Sequence, residues 1–344
     1  MTPNTSALTA TTTYRRSPLI NLSAGFDCGN GSTNLIFEET EILIPSYVLP
    51  IYSEIYDPLT GLVEYVSGDR SELISHRWLS GISAYQQNPM GYYRVVDDRR
   101  GKLNYGLQLL LGTIATLPHQ SHWAFTLVAS IQDAQAFGHE LSSLLNGNHT
   151  VRFNGKEVST IGVKVVAVVE EGVGAIVTAR SEIESEGQSL LYDFGNGTCI
   201  ISVFGAKGKL LIRKVTPGGV ENLIDAIARN LETRKQLNGE GDRQIIRAGI
   251  EAKTFEYGTT GWNFRHIYQV ELKPWVQSTL ATALKAGEPW RATSSAVLAV
   301  GGGSELPQIT QLLTAKGITP ITQGHWANAR GLAKLAQLKQ RRGS

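Results

Sequence analysis

The sequence predicts an α/β protein built from two similar halves that face each other across a cleft. Three observations lead there. First, residues Tyr192 to Phe204 read Y-D-F-G-N-G-T-C-I-I-S-V-F. An apolar run ends at Asp193, a glycine-rich corner follows, and a second β-rich run (Cys199, Ile200, Ile201, Val203, Phe204) leaves it. That pattern predicts two strands joined by a tight hairpin, with Gly195 and Gly197 at positive φ in the bend. Second, Phe26 to Phe37, F-D-C-G-N-G-S-T-N-L-I-F, repeats the same order of parts about half a chain earlier. Third, Ala296 to Leu306, A-V-L-A-V-G-G-G-S-E-L, reads as a buried strand running into three glycines and then a helix. One Gly-Asn-Gly corner is an ordinary turn sequence. Two copies, each carrying an aspartate, are hard to explain as turns alone.

The chemistry of the paired corners suits a nucleoside triphosphate. Consecutive backbone N–H groups in a glycine turn form a concave anion site, and the hydroxyls of Ser32, Thr33 or Thr198 can add donors. Asp27 and Asp193 would repel phosphate unless a hydrated Mg²⁺ lies between, an ion that takes one or two carboxylates together with waters and phosphate oxygens. Two such corners facing each other make a clamp.

The pair D-x-G-N-G (Asp27–Gly31) and D-x-G-N-G-T (Asp193–Thr198) resembles the phosphate-1 and phosphate-2 loops of the actin-like ATPase superfamily. Within it the chain most resembles the ParM-type bacterial actins that segregate plasmids, and Ala296–Leu306 is similar to the family's adenosine motif. The resemblance implies two ribonuclease-H-like α/β domains with a nucleotide cleft between them. It implies Gly29, Asn30, Gly31, Ser32, Thr33 and Asn34 in one loop and Gly195, Asn196, Gly197 and Thr198 in the other. Gly301, Gly302, Gly303 and Ser304 would then lie beside the nucleoside, where a side chain on the triplet would fill the space of adenine and ribose. The cofactors implied are ATP or GTP with Mg²⁺, held through Asp27 and Asp193. Self-association into filaments is implied too, with a DNA-bound adaptor as a further partner.

Taken in order, Met1 to Ser17 is rich in Thr, Ser, Ala and Pro without periodicity and reads as a disordered tail. Domain I is expected over residues 18–178. It opens with a strand at Leu19–Phe26, then one at Asn34–Phe37 and a third at Glu41–Val48, and the resemblance implies an insertion subdomain (IB) at about 45–100. Lys102 to Leu117 has an apolar face at helical spacing, Trp123–Ile131 is a buried strand and Gln135–Leu145 a helix. Thr150–Val169 reads as short strands turning at Asn154-Gly155. In V-V-E-E-G-V-G-A-I-V, Val168 to Val177, the resemblance places the residue that orients the attacking water. Glu171 is the first choice and Glu170 the second; the bland alternative is that either merely favours a helix N-terminus.

Domain II is expected over 187–324. After the second corner, Lys209–Val215 continues the meander and Thr216–Ala228 is a turn opening an amphipathic helix, in which Gly218 and Gly219 resemble a glycine pair that approaches the nucleotide. A tight turn without a ligand explains that pair almost as well. Residues 230–260 fit a smaller subdomain (IIB), and Tyr268–Ala286 a long helix bounded by a loop containing Pro289. A helix at Leu306–Thr314 and a strand at Ile318–Thr322 follow. Within 325–344, Ala327–Leu332 resembles the helix that returns to domain I, and the basic tail from Lys334 is expected to fray.

Composition narrows the function classes. At 344 residues, 42% hydrophobic and 18% charged, the chain can form two full cores. A net charge of +2 gives no electrostatic case for direct nucleic-acid binding. No apolar run approaches the roughly 20 residues of a membrane span, and Cys28 and Cys199 read as reduced, buried residues of a cytoplasmic protein. Small-molecule kinases of the same superfamily are the first alternative, with Asp133 as a weak candidate acid. A non-polymerising adaptor with the same fold is the second.

Overall fold

The computed structural model describes residues 21–55, 60–98, 100–181, 187–205 and 208–343. The expected tail at 1–17 and the first residues of the opening strand lie outside them. A ten-stranded sheet collects β1 (Leu22–Cys28), β2 (Ser32–Phe37), β3 (Thr40–Pro45), β4 (Tyr47–Pro50), β5 (Leu62–Gly68), β6 (Arg77–Ser80), β7 (Tyr93–Arg94), β8 (His122–Ile131), β9 (Gly147–Phe153) and β10 (Val158–Glu170). A five-stranded sheet collects β11 (Ser189–Phe194), β12 (Thr198–Phe204), β13 (Leu210–Pro217), β14 (Ala296–Val300) and β15 (Thr319–Pro320).

The two sheets repeat one topology. The first runs β3-β2-β1-β8-β10 before its extension β9-β5-β6-β4-β7; the second runs β13-β12-β11-β14-β15. In both, the hairpin strands pair antiparallel and the next two join in parallel. The central strands β1 and β11 are mostly buried, as expected for strands covered by helices.

Helices pack on these sheets: α1 (Ile82–Gln87), α2 (Gly101–Ile114), α3 (Ala134–Leu145), α4 (Val173–Thr178), α5 (Val220–Arg229), α6 (Leu231–Leu237), α7 (Arg243–Glu251), α8 (Arg265–Trp275), α9 (Ala281–Arg291), α10 (Ile309–Ala315) and α11 (Gly324–Gly343). Leu103, Leu107, Leu110, Leu111 and Ile114 of α2 join Phe26, Leu35 and Phe125 in one core. Leu223, Ile224 and Ile227 of α5 meet Tyr192, Phe194 and Ile201 in another. The Asn154-Gly155 turn forms as expected, with φ of 53° and 69°. Asn154 also fastens it, its Nδ2 donating to the Ala115 carbonyl at 2.7 Å.

Several expectations need correction. The third strand is two, β3 and β4, separated at Ser46, whose N–H and hydroxyl turn inward to the first bend. The short strands expected over 150–169 include one long strand, β10. The long helix runs α8–π turn (Val276–Leu280)–α9, and Pro289 lies inside α9 rather than in a loop. The tail from Lys334 is helical to Gly343. Ala336 is fully buried and Gln340 Nε2 donates to the Asn21 carbonyl, so the end of α11 is fastened to β1. Neither Gly195 nor Gly197 has positive φ.

Where the halves join, α4 and α11 cross almost backbone to backbone. A Cβ on Gly174 would fall 2.0 Å from the Asn328 carbonyl oxygen, and one on Gly331 would fall 1.8 Å from that of Gly174. The Gly174 N–H donates to Asn328 Oδ1, and Asn328 Nδ2 donates to Ser130 Oγ.

Candidate functional site

The two bends are built alike. In the first, Gly29 N donates to the Ser32 carbonyl at 2.9 Å; in the second, Gly195 N donates to that of Thr198 at 3.0 Å. A Cβ on either glycine would crowd the same acceptor, at 2.8 and 2.9 Å, so glycine is required there by close approach and not by handedness. The bends also touch: a Cβ on Gly31 would stand 2.6 Å from Asn196 Cβ. Together they close one side of a cavity of about 700 Å³ between the halves.

Asp27, Gly29, Asn30, Gly31, Ser32, Asn34, Glu171, Asp193, Gly195, Asn196, Thr198, Gly301 and Gly302 all line this cavity. The remaining expected residues are not among its lining residues, and the structure gives each another task. Thr33 is buried and bonds Ser46 Oγ at 2.9 Å. Gly197 packs against Val96, 3.1 Å from a Cβ placed there. Gly218 takes positive φ at 90°, and a Cβ on Gly219 would fall 2.3 Å from the Asn196 carbonyl oxygen. That pair lets α5 dock on the second bend, where its first N–H groups reach the carbonyls of Gly195 and Asn196.

The glycine triplet divides. A Cβ on Gly301 or Gly303 would collide with Phe194, at 2.6 Å from its carbonyl oxygen and 2.7 Å from its Cβ respectively, whereas one on Gly302 would meet nothing within 4 Å. Only Gly302 therefore fits the expectation that a side chain would enter open space. Ser304 is fully buried and donates to the Gly301 carbonyl, which closes the turn.

The acidic end of the cavity is a charge cluster. Asp27 accepts from Ser130 Oγ at 2.9 Å. Burial, and then Asp27, push the Asp193 carboxyl up to about 6, against the pull of Lys102 and Arg213. Lys102, in the first turn of α2, is buried and ion-paired with Glu171. Burial holds its ammonium below the ordinary value, opposed by Asp27 and Asp193. Glu170, by contrast, accepts from the N–H groups of Asp133 and Ala134 and pairs with Arg213 at 2.8 Å. It holds the start of α3, the structural role that was the alternative for these glutamates, and only Glu171 reaches the cavity. Arg213 also donates to the Glu171 carbonyl at 2.8 Å, so the opposite half fixes that backbone. Asp133 caps α3 through Ala136 N and is not among the residues lining the cavity.

Burial pushes the thiols of Cys28 and Cys199 up to about 11 and about 12, and both are free. They are inert packing groups behind the two bends.

Sequence reasoning missed a belt across the cleft. Arg94, the last residue of β7, pairs with Glu221 of α5; Gln244 of α7 donates to Tyr47 Oη at 2.5 Å; Tyr85 of α1 bonds Asp242. Arg247 donates to Asn196 Oδ1 at 2.6 Å, and Asn196 Nδ2 to Glu221 at 3.0 Å. Those pairs are separated by long stretches of chain and leave no local pattern.

The donor set suits a nucleotide with a hard cation. Among the described residues no group of three or more His, Cys, Asp or Glu is arranged to hold a metal alone. Two carboxylates beside open space match an ion that completes its shell with water and phosphate. Asn34 Oδ1, buried and without a partner, lines the same cavity and offers an acceptor to whatever enters.

Residues 25–174 match the family described as actin like proteins N terminal domain. No curated protein matches the sequence. Among solved structures, an archaeal actin homologue, Ta0583, superposes with a TM-score of 0.68 at 17% identity, over 92% of this chain and 99% of that one. Bacillus thuringiensis ParM with AMPPNP gives 0.66 at 18%, over 93% and 99%. A 15-stranded ParM filament from Clostridium botulinum gives 0.68 at 14%, over 92% and 99%. The chain thus has the actin-like fold, with residues 25–174 matching the model of the actin-like N-terminal domain and ParM proteins among its structural counterparts.

Proposed function

We propose that this protein binds ATP or GTP with Mg²⁺ in the cleft, hydrolyses it, and couples that cycle to self-assembly into filaments. A cytoplasmic role in segregating plasmid or other DNA through a DNA-bound adaptor is the broader reading. The observation that carries it is the meeting of two acidic glycine bends, one from each half, over one cavity that also holds Glu171.

In this reading Asp27 and Asp193 hold the cation directly or through its waters; when bound it neutralises phosphate charge and polarises the phosphoryl oxygens. The chain does the rest. The bends place Ser32 and Thr198 hydroxyls and backbone N–H groups at the phosphates. Glu171 orients water for in-line attack, on a backbone that Arg213 fixes. Gly302 leaves room for the nucleoside. The belt from Arg94 to Glu221 and from Tyr47 to Gln244 holds the halves together over the ligand, and their separation about the α4–α11 crossing accompanies exchange.

Pelleting with light scattering in ATP, in ADP and without nucleotide tests the whole proposal. Scatter that rises with ATP and decays as phosphate is released is the expected result. Turnover that requires an added sugar or acid, without scatter, would favour a small-molecule kinase; neither turnover nor scatter would favour an adaptor.

A further inference from the structure

We propose that Lys102 reads the terminal phosphate: its ammonium tethers Glu171 while the cleft holds no triphosphate and transfers to the γ-phosphate when one enters, releasing Glu171 to position water. The role rests on the nucleotide reading above. Lys102 occupies the first turn of an apolar helix, where the core pattern calls for no charge, and yet it is buried. It lines the cavity at the end that carries Asp27, Asp193 and Glu171. Two other cations on the wall, Arg247 and Lys253, come from α7 and the residues after it, and Arg247 is held by Asn196.

The exchange of partners is physically reasonable. A terminal phosphate carries more charge than a carboxylate and therefore competes for the ammonium in a site of low dielectric. Lysine presents a compact charge on a flexible stem, so it can change partner without the reorientation a guanidinium fork needs. Glu171 can let go without moving its backbone, because Arg213 holds its carbonyl and Gly172 follows at φ 85°.

The test measures equilibrium affinities of the full chain for ADP and for the β,γ-imido analogue of ATP, both with Mg²⁺. The proteins compared are the wild type, Lys102→Met, Glu171→Gln and the double variant. The wild type should prefer the triphosphate. Lys102→Met should lower that preference by about 10- to 100-fold while ADP affinity changes little. The same drop should appear between Glu171→Gln and the double variant. That pair keeps the test decisive if Lys102→Met, left with an unpaired buried Glu171, fails to fold. Preference retained in both lysine variants overturns the role, and so does a drop seen only while Glu171 is intact, since Lys102 would then be a tether alone. A wild type that binds neither nucleotide removes the nucleotide reading and this role together.

Discussion

The two bends share an aspartate, a Gly-Asn-Gly turn and one hydrogen-bond closure, but they are braced differently. The first is held from within its own half: Ser46 caps Gly29 and Gly31, and Ser130 holds Asp27. Through Ser130 it reaches Asn328 and the crossing of α4 with α11. The second is held by helices on its flank, with the start of α5 bonded to the carbonyls of Gly195 and Asn196, and with Arg247 and Glu221 on the Asn196 side chain. The closure is the same in both bends and the bracing is not. One bend is tied to the α4–α11 crossing and the other, through Glu221, to the belt between the halves.

That contrast can be broken or sharpened by substitution. The largest effect is expected for Asp193→Ala, which should lower phosphate release by about 10³-fold; turnover like that of the wild type would dissolve the pairing of the bends. Next, Glu171→Gln should slow hydrolysis about 100-fold with nucleotide affinity nearly intact, measured by phosphate release beside equilibrium binding. Smaller still, Gly302→Leu should weaken nucleotide binding about tenfold without moving the melting temperature. Gly303→Ala should do the reverse, at a cost of about 1–3 kcal/mol in stability from the clash with Phe194.

A titration isolates the second bend. The raised Asp193 carboxyl means that its ionised form opposes folding of the nucleotide-free protein at neutral pH, and proton uptake relieves this as pH falls through about 6. Asp193→Asn should therefore melt above the wild type at pH 7.5, and the margin should close below pH ~6. A constant margin would mean that Asp193 does not titrate in that range. The smallest effect is expected for Arg94→Ala. It should cost at most about 1 kcal/mol, since the pair with Glu221 is partly exposed, while speeding nucleotide release a few-fold in stopped-flow measurements.

The sequence carried the fold because its signals are local. The strand–corner–strand repeat, the Asn154-Gly155 turn and the apolar face of α2 each lie within a short window. Ten of the thirteen expected residues that line the cavity lie within the two strand–corner–strand windows, Gly301 and Gly302 lie in the glycine triplet, and Glu171 is given by the resemblance alone. The expected residues that do not line the cavity share one physical source. Gly303, Ser304, Gly218 and Gly219 are demanded by backbone approach between segments distant in sequence, and the same letters are written whether the neighbour is a ligand or a carbonyl. Lys102 reads in the sequence as one more member of a helix, because a buried cation is recognised only by the carboxylates that other segments bring to it. Pro289 reads in the sequence as part of a loop after the helix, whereas it sits inside α9.

The crossing at Gly174 and Gly331 has a mechanical consequence. At that point the two backbones meet with no side chain between them, while Asn328 and the shared apolar contact of Ala175, Ile176 and Ala327 fix the crossing on its flanks. Any side chain added at either contact acts as a wedge that forces the two helices apart.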